Sequence, residues 1–382
     1  MSDYTTKGEF HSKSRVFHLK GELITMNSFS LTTTHLRFVC EATTPLRLEA
    51  DIFRAGSNLR GALGQVMLRS YCAEPHPSAP LLVGEGNGER SHAATCPVHW
   101  LLAANEKPGE ERRGYALVPP LNNSSNDCLN RGDTFEFGLT LFGNALQFLP
   151  YFILAVPEMG RMGIGPGRGK FELKRVWALN PLTGESEILF GDAGNVVRTP
   201  TLVVNHAEVM QSAHSRWQMA DGELQMAKRN QPYAIRDMQI RATQNVALEF
   251  LTPMRLIENE RTLKTPEFAP LFARLLERLD ELNGQHAGGT KRAVEEVKHL
   301  RALAQQAHLC EVQSRWVEVF SGSTRRGMSS PLSGFVGRAV FSASREVWEE
   351  LLPWLLWGQL VQVGKATVKG NGVMRVEMRD EG

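Results

Sequence analysis

The chain has 382 residues, with 43 Lys and Arg against 41 Asp and Glu, a formal net charge of +2, and 42% hydrophobic residues. That balance excludes charge-driven disorder, and the 34 glycines show no three-residue period of the collagen kind. Near-cancelling charge also argues against a uniformly basic nucleic-acid-binding tail, without saying where the charges sit. The apolar stretches at 145–156 and 351–363 are shorter than the ~18–20 residues a bilayer span needs, so no membrane contact is expected. The first twenty residues hold no secretory core, and five cysteines are too few for a disulfide scaffold; both point to a reducing cytoplasm.

Residues 31–50 are rich in β-branched side chains and alternate in polarity, the pattern of a strand or hairpin. Leu59, Leu63, Val66, Met67 and Tyr71 fall at helical spacing and predict a helix over 59–71, with Ser57 or Asn58 as its N-cap. Residues 73–133 read as a long irregular insertion rich in Pro, Gly, Asn, Ser and charge, with a strand near 115–118. The segment 134–142 (TFEFGLTLF) alternates strictly and predicts a strand, 144–158 a helix, and 171–177 a strand after a glycine-rich loop. A hairpin about 180–184 and a linker over 201–232 follow. The next unit reads as a strand or hairpin over 233–256, helices over 266–282 and 291–310, strands over 312–320 and 334–342, a helix over 345–358 and a strand over 373–378.

The two halves end alike, in the order alternating strand, apolar helix, basic glycine loop, short strand. Strand–helix–strand–strand–helix–strand is the ferredoxin-like order. The expected fold is therefore α+β, two tandem ferredoxin-like domains: 21–200 with the insertion at 73–133, a linker at 201–232, and 233–382. Trp316 and Phe320 on a strand, and Trp354 and Trp357 on the last helix, read as core rather than as base-stacking platforms.

Gly160, Gly163, Gly165, Gly167 and Gly169 crowd one loop with Arg161, Arg168 and Lys170. A dinucleotide fingerprint would need a strand before the glycines and a helix after; here the order is reversed, and no Walker lysine follows. What remains is either an ordinary helix-to-strand turn or a backbone that approaches a phosphate chain closely. A second such loop, 364–372, occupies the equivalent place in the other half and supplies Lys365 and Lys369. Upstream, 321–338 carries Arg325, Arg326 and Arg338, on a phosphate-contacting turn or a solvated hairpin. Segments 160–171, 321–340 and 365–376 together hold nine Lys or Arg and no Asp or Glu, and are expected to converge on one surface.

LEFLTPMRL (248–256), PLSGFVGRAVF (331–341) and LVQVGKATVKGNGVMRVE (360–377), preceded by LRGALG (59–64), GDTFEFGLTLFG (132–143) and GIGPGRGKFEL (163–173), resemble the CRISPR-associated pre-crRNA-processing endoribonucleases of the RAMP superfamily. The motifs run in the family's order over roughly 30–378. The resemblance implies recognition and cleavage of CRISPR repeat RNA. It also implies a metal-independent reaction without a cofactor, in which a ribose 2′-OH attacks the adjacent phosphate. The alternative is a non-catalytic RNA-binding RAMP subunit of a CRISPR effector complex.

That chemistry needs a base, an acid and cations for the phosphorane charge. The resemblance implies a histidine on or near the first helix, but LRGALGQVMLRSY has none, with Gln65 where one would be allowed. His35, in the first strand, is the expected acid or base, and His76 the next candidate. Arg54, Arg60 and Arg69 are placed to stabilise phosphate, Arg60 alternatively to hold its loop by a structural hydrogen bond. Arg54, Arg161, Arg168, Lys170, Arg325, Arg326, Arg338, Lys365 and Lys369 form the expected RNA-binding set. Cys96-Pro-Val-His99 has metal-ligand spacing, and Cys72 and Cys128 could complete a structural zinc site; the other reading is buried thiols and a surface histidine.

Overall fold

The computed structural model describes residues 29–48, 52–72, 96–102, 112–121, 128–191, 197–229, 244–323 and 328–379. The N-terminal domain runs β1 (Thr33–Ala42), α1 (Ile52–Ser70), α2 (Pro97–Leu102), β2 (Tyr115–Val118), β3 (Thr134–Phe142), a 3-10 turn (Gly143–Phe148), α3 (Leu149–Met162), β4 (Phe171–Leu179) and β5 (Ser186–Phe190). α4 (His206–Arg229) crosses to the C-terminal domain, which runs β6 (Gln244–Met254), the small β7 (Ile257–Glu258) and β8 (Arg261–Thr262), α5 (Phe268–Ala287) and α6 (Val294–Ala304). It continues through β9 (His308–Val317), the hairpin β10 (Phe320–Ser323) and β11 (Met328–Pro331), β12 (Gly334–Ala343), α7 (Arg345–Val361), a 3-10 turn (Thr367–Lys369) and β13 (Met374–Arg379).

The sheets are ordered β2-β3-β1-β4-β5 and β13-β6-β12-β9. Numbered within each domain, both contain the ferredoxin-like order in which the first and third strands lie side by side at the centre. The first adds β5 at its edge through the 180–184 turn, closed by Gly184 N–H donating to the Asn180 carbonyl at 2.8 Å. Alternation along β1 turns Leu36, Phe38 and Cys40 toward α1 (Leu59, Leu63, Val66) and α3 (Phe152, Ile153, Val156). β6 does the same with Val246, Leu248 and Phe250 against α5 and α7. Each large side chain so buried contributes about 1.5–3 kcal/mol.

The domains share a boundary. Ala116 and Phe142 belong to the core of the C-terminal domain. Gln362, next to the end of α7, donates Nε2 to the Leu117 carbonyl at 2.8 Å. Gly143, at φ +48°, lies where a Cβ would come within 2.0 Å of the His286 carbonyl oxygen.

Several elements differ from the sequence reading. α1 begins at Ile52, so Ser57 and Asn58 lie inside it and cap nothing; Ala55, fully enclosed, extends the apolar face one turn upstream of Leu59. The expected linker contains α4, because Val209, Ala213 and Trp217 recur every four residues and join the C-terminal core. The helix expected over 291–310 stops at Ala304, and Cys310 lies on the edge strand β9. Trp357 is fully buried, as expected, but Phe320 is 46% exposed. Among the described residues, no helix is long and apolar enough to cross a membrane.

Candidate nucleic-acid interface

The N-terminal half of α1 lies against the glycine loop of the C-terminal domain. A Cβ on Gly56 would sit 2.1 Å from the Lys369 carbonyl oxygen, and one on Gly370 2.8 Å from Pro119. Helix and loop meet backbone to backbone, which only glycine allows. The loop holds that shape with Ala366 and Gly370 in the left-handed region at φ 65° and 87°, flanking the 3-10 turn. Asn371, buried, donates Nδ2 to the Leu332 carbonyl at 2.7 Å, and Val373 N–H donates to Thr252 Oγ1 at 2.9 Å. These bonds tie the loop to β6 and to the segment before β12.

This packing gathers cations. Arg60 is one turn beyond Gly56 on the same face of α1. Arg113 comes from the residues just before β2, and Lys369 from the loop. The Lys369 amine is pushed below the ordinary lysine range, first by desolvation and then by the charges of Arg60 and Arg113. Arg60 Nε is enclosed with no hydrogen-bond partner among the described residues. Enclosed donors without acceptors cost about 1–3 kcal/mol each, and converging like charges add to that. An anion seated here would relieve both costs.

The other glycine loop meets the same stretch of chain further upstream. Gly163, Gly165, Gly167 and Arg168 all have positive φ, and a Cβ on Gly165 would lie 2.1 Å from the Arg47 carbonyl oxygen. Lys170 N–H donates to Thr44 Oγ1 at 2.8 Å. Arg168 and Lys170 are exposed at the loop, whereas Arg161 is paired with Glu158 at 2.7 Å. β10 also lies against α1. Arg325 and Arg326, between β10 and β11, lie outside the described residues, as does His76.

Other expected residues do not join the cation cluster. Arg338 and Arg375 lie on the sheet face turned away from α5 and α7, paired with Glu377 at 3.0 Å and Glu249 at 3.1 Å. The basic segments are thus partly neutralised by neighbouring strands, contrary to the wholly basic face expected from their composition. Lys365 is exposed, its N–H donating to the Arg255 carbonyl at 3.2 Å. Arg54 sits in the first turn of α1 and Arg69 in its last.

His35 lies on the face of the sheet turned away from α1. Leu36 and Phe38 face α1, so His35 faces the opposite way, into a groove of about 640 Å³ lined by Arg37, Glu136, Thr140, Gln359 and Arg375. Its Nδ1 is 3.0 Å from Thr140 Oγ1 and its Nε2 3.1 Å from Thr33 Oγ1. Burial pushes its pKa down to about 3, so it is neutral and hydrogen-bonded at physiological pH. The β-sheet separates it from Arg60. Arg113 was the residue sequence reasoning missed; the adjacent pair Arg112-Arg113 at the foot of β2 was its only signal.

The chain thus carries two ferredoxin-like domains, each entering its last core strand from a glycine loop, with a cation cluster where the first helix meets the second loop. Residues 248–374 match the family of the CRISPR-associated endoribonuclease Cas6, and residues 31–202 match a family described only as an N-terminal domain. No curated protein matches the chain. Among solved structures, a Cas6 product complex is 16% identical with a TM-score of 0.50, covering 91% of this chain and 99% of that chain. Thermus thermophilus Cas6 is 15% identical with a TM-score of 0.50 over 91% and 99%. A partial Cas6-RT-Cas1–Cas2 complex is 14% identical with a TM-score of 0.52, covering 92% of this chain and 47% of that chain. The similarity to the Cas6 family of CRISPR-associated endoribonucleases thus rests on the C-terminal third of the chain, residues 248–374, and on a fold shared with solved Cas6 structures.

Proposed function

We propose that this chain cleaves CRISPR repeat RNA at the junction of α1 and the C-terminal glycine loop, by attack of a ribose 2′-OH on the adjacent phosphate. The observation that carries the reading is the convergence of Arg60, Arg113 and Lys369, with Arg60 Nε enclosed and lacking a hydrogen-bond partner among the described residues. The 2′-oxygen bonds to phosphorus as its proton passes to a solvent water, and the phosphorane gathers negative charge on its non-bridging oxygens. Arg60 and Arg113 hold those oxygens. Lys369 gives a proton to the departing 5′-oxygen, which leaves a 2′,3′-cyclic phosphate and a 5′-OH. Its lowered pKa suits it to give up that proton more readily than an ordinary lysine. The cations supply the charge stabilisation, so the reading assigns no metal to the step. The exposed Arg168 and Lys170 extend the phosphate track along the upstream loop.

The test is a single-turnover assay on repeat RNA without added metal, beside a substrate carrying one 2′-deoxyribose at the cut site. Cleavage of the first to a cyclic phosphate and none of the second is expected. Cleavage of the deoxy substrate would overturn the mechanism. A second reading, an RNA-binding subunit of a CRISPR effector complex that does not cut, draws on two observations: α1 has no histidine and His35 lies behind the sheet. Tight binding of repeat RNA with no cleavage would decide for it.

A further inference from the structure

We propose that Cys72, Cys96 and His99 bind a structural zinc ion that pins the insertion to the end of α1. Their donor atoms all lie within 4.8 Å of one another, and Cys72 Sγ is 3.8 Å from His99 Nδ1. Tetrahedral zinc with Zn–S near 2.3 Å and Zn–N near 2.0–2.1 Å sets the S···N edge at about 3.6 Å and the S···S edge at about 3.8 Å. Cys72 Sγ and His99 Nδ1 are spaced close to such an edge, and the remaining pairs lie within 4.8 Å, a little wider than a closed tetrahedron. Two thiolates and an imidazole form a soft donor set that selects zinc over magnesium or calcium. The five cysteines, all among the described residues, form no disulfide that would compete.

The place in the fold explains what the ion does. Cys72 follows the end of α1, Cys96 directly precedes α2, and His99 lies three residues further, on the same side of that turn. α2 has only six residues, too few to hold its shape alone. It buries Val98, Leu101 and Leu102, and its Trp100 rests on Phe148 and on His286 of α5. A Cβ on Gly114 would lie 3.1 Å from the Trp100 ring, so the segment bearing Arg113 leans on α2. Binding releases the two thiol protons and joins the end of α1 to α2, on which the Arg113 segment leans. Cys128, the fourth ligand of the zinc reading, lies outside the group, its thiol directed at the Leu129 carbonyl at 3.7 Å. The fourth position falls to water or another donor. None of this rests on the RNA reading.

The experiment uses the full, untagged chain expressed with zinc. Elemental analysis should find about one zinc per chain, and X-ray absorption a shell of two sulfurs near 2.3 Å with histidine nitrogen. Replacing the ion by cobalt(II) should give tetrahedral d–d bands and thiolate charge transfer. Cys72→Ser and Cys96→Ser should lose the charge transfer and most of the metal, and Cys128→Ser should keep both. A chain that takes up neither zinc nor cobalt, or a metal shell of oxygen and nitrogen only in the unmutated protein, overturns the proposal. The absorption measurement needs no variant and stands even if the serine variants fail to fold.

Discussion

Lys369 and His35 show how position, more than residue type, decides what a titratable side chain can do. Lys369 is held between Arg60 and Arg113, a costly place for a cation. Lys369→Met should raise the melting temperature of the RNA-free protein while slowing cleavage about 10²–10⁴-fold, the usual weight of a general acid. A lysine with only a structural role would lower the melting temperature instead. The depressed pKa also fixes a sign: with Lys369 as the acid, cleavage falls as pH rises through that pKa, below the ordinary lysine range. In Lys369→Arg, which stays charged, that limb should disappear.

His35 carries the opposite expectation. Its native pKa of about 3 lies below the ordinary histidine value near 6.5, so the unfolded chain binds the extra proton between them. The neutral form's stabilising contribution is complete above pH 6.5 and is lost as pH falls toward 3. His35→Ala should flatten that acid limb in thermal melts, cost about 1–3 kcal/mol by stranding Thr33 and Thr140, and leave cleavage nearly unchanged. A cleavage loss matching that of Lys369→Met would return His35 to the reaction.

At the scale of elements, the contact between α1 and the C-terminal loop is the feature on which the site depends. Gly56→Ala would press a methyl group into the Lys369 carbonyl and push the helix off the loop. Gly61→Ala, in the same helix with nothing within 4 Å of the added carbon, is the matched control. Helix propensity alone would stabilise both by about 0.5–1 kcal/mol. The expected outcome is a gain in melting temperature for Gly61→Ala, and for Gly56→Ala a loss together with weaker RNA binding.

Much of this element-level picture was legible beforehand, and the exceptions have physical reasons. β3 and β12 declared themselves by alternation, and α5 by Leu271, Leu275, Leu279 and Leu282 on one face. α4 was missed because only Val209, Ala213 and Trp217 mark its buried face in an otherwise polar run. The face that His35 occupies was not legible because alternation shows that a strand has two faces, not which one the helices cover. The pair Arg112-Arg113 gave little sign of its place because Lys369 is 256 positions away from Arg113, and no local pattern records a contact between domains.

At the scale of the whole molecule, the near-neutral charge of +2 is resolved into a cation cluster at the domain junction and paired charges on the sheet. Arg338 and Arg375 have carboxylate partners within 3.1 Å, whereas Arg60 presents an enclosed Nε without a hydrogen-bond partner among the described residues. Arg60→Ala should therefore lower the slope of log K against log salt for repeat RNA by about 0.7, the value for one phosphate contact on a single strand. Arg338→Ala should change it less, because its loss leaves Glu377 behind. Equal effects would show that the sheet face, not the junction, carries the phosphates.

The most direct measurement is single-turnover cleavage of repeat RNA by the unmutated protein, Arg60→Ala and Lys369→Met at saturating protein, with the product ends identified by mass spectrometry. The account predicts a 2′,3′-cyclic phosphate from the unmutated chain and rates at least about 10²-fold lower from each variant with RNA still bound. Unchanged rates in both variants would contradict the placement of the reaction at the junction of α1 and the C-terminal glycine loop.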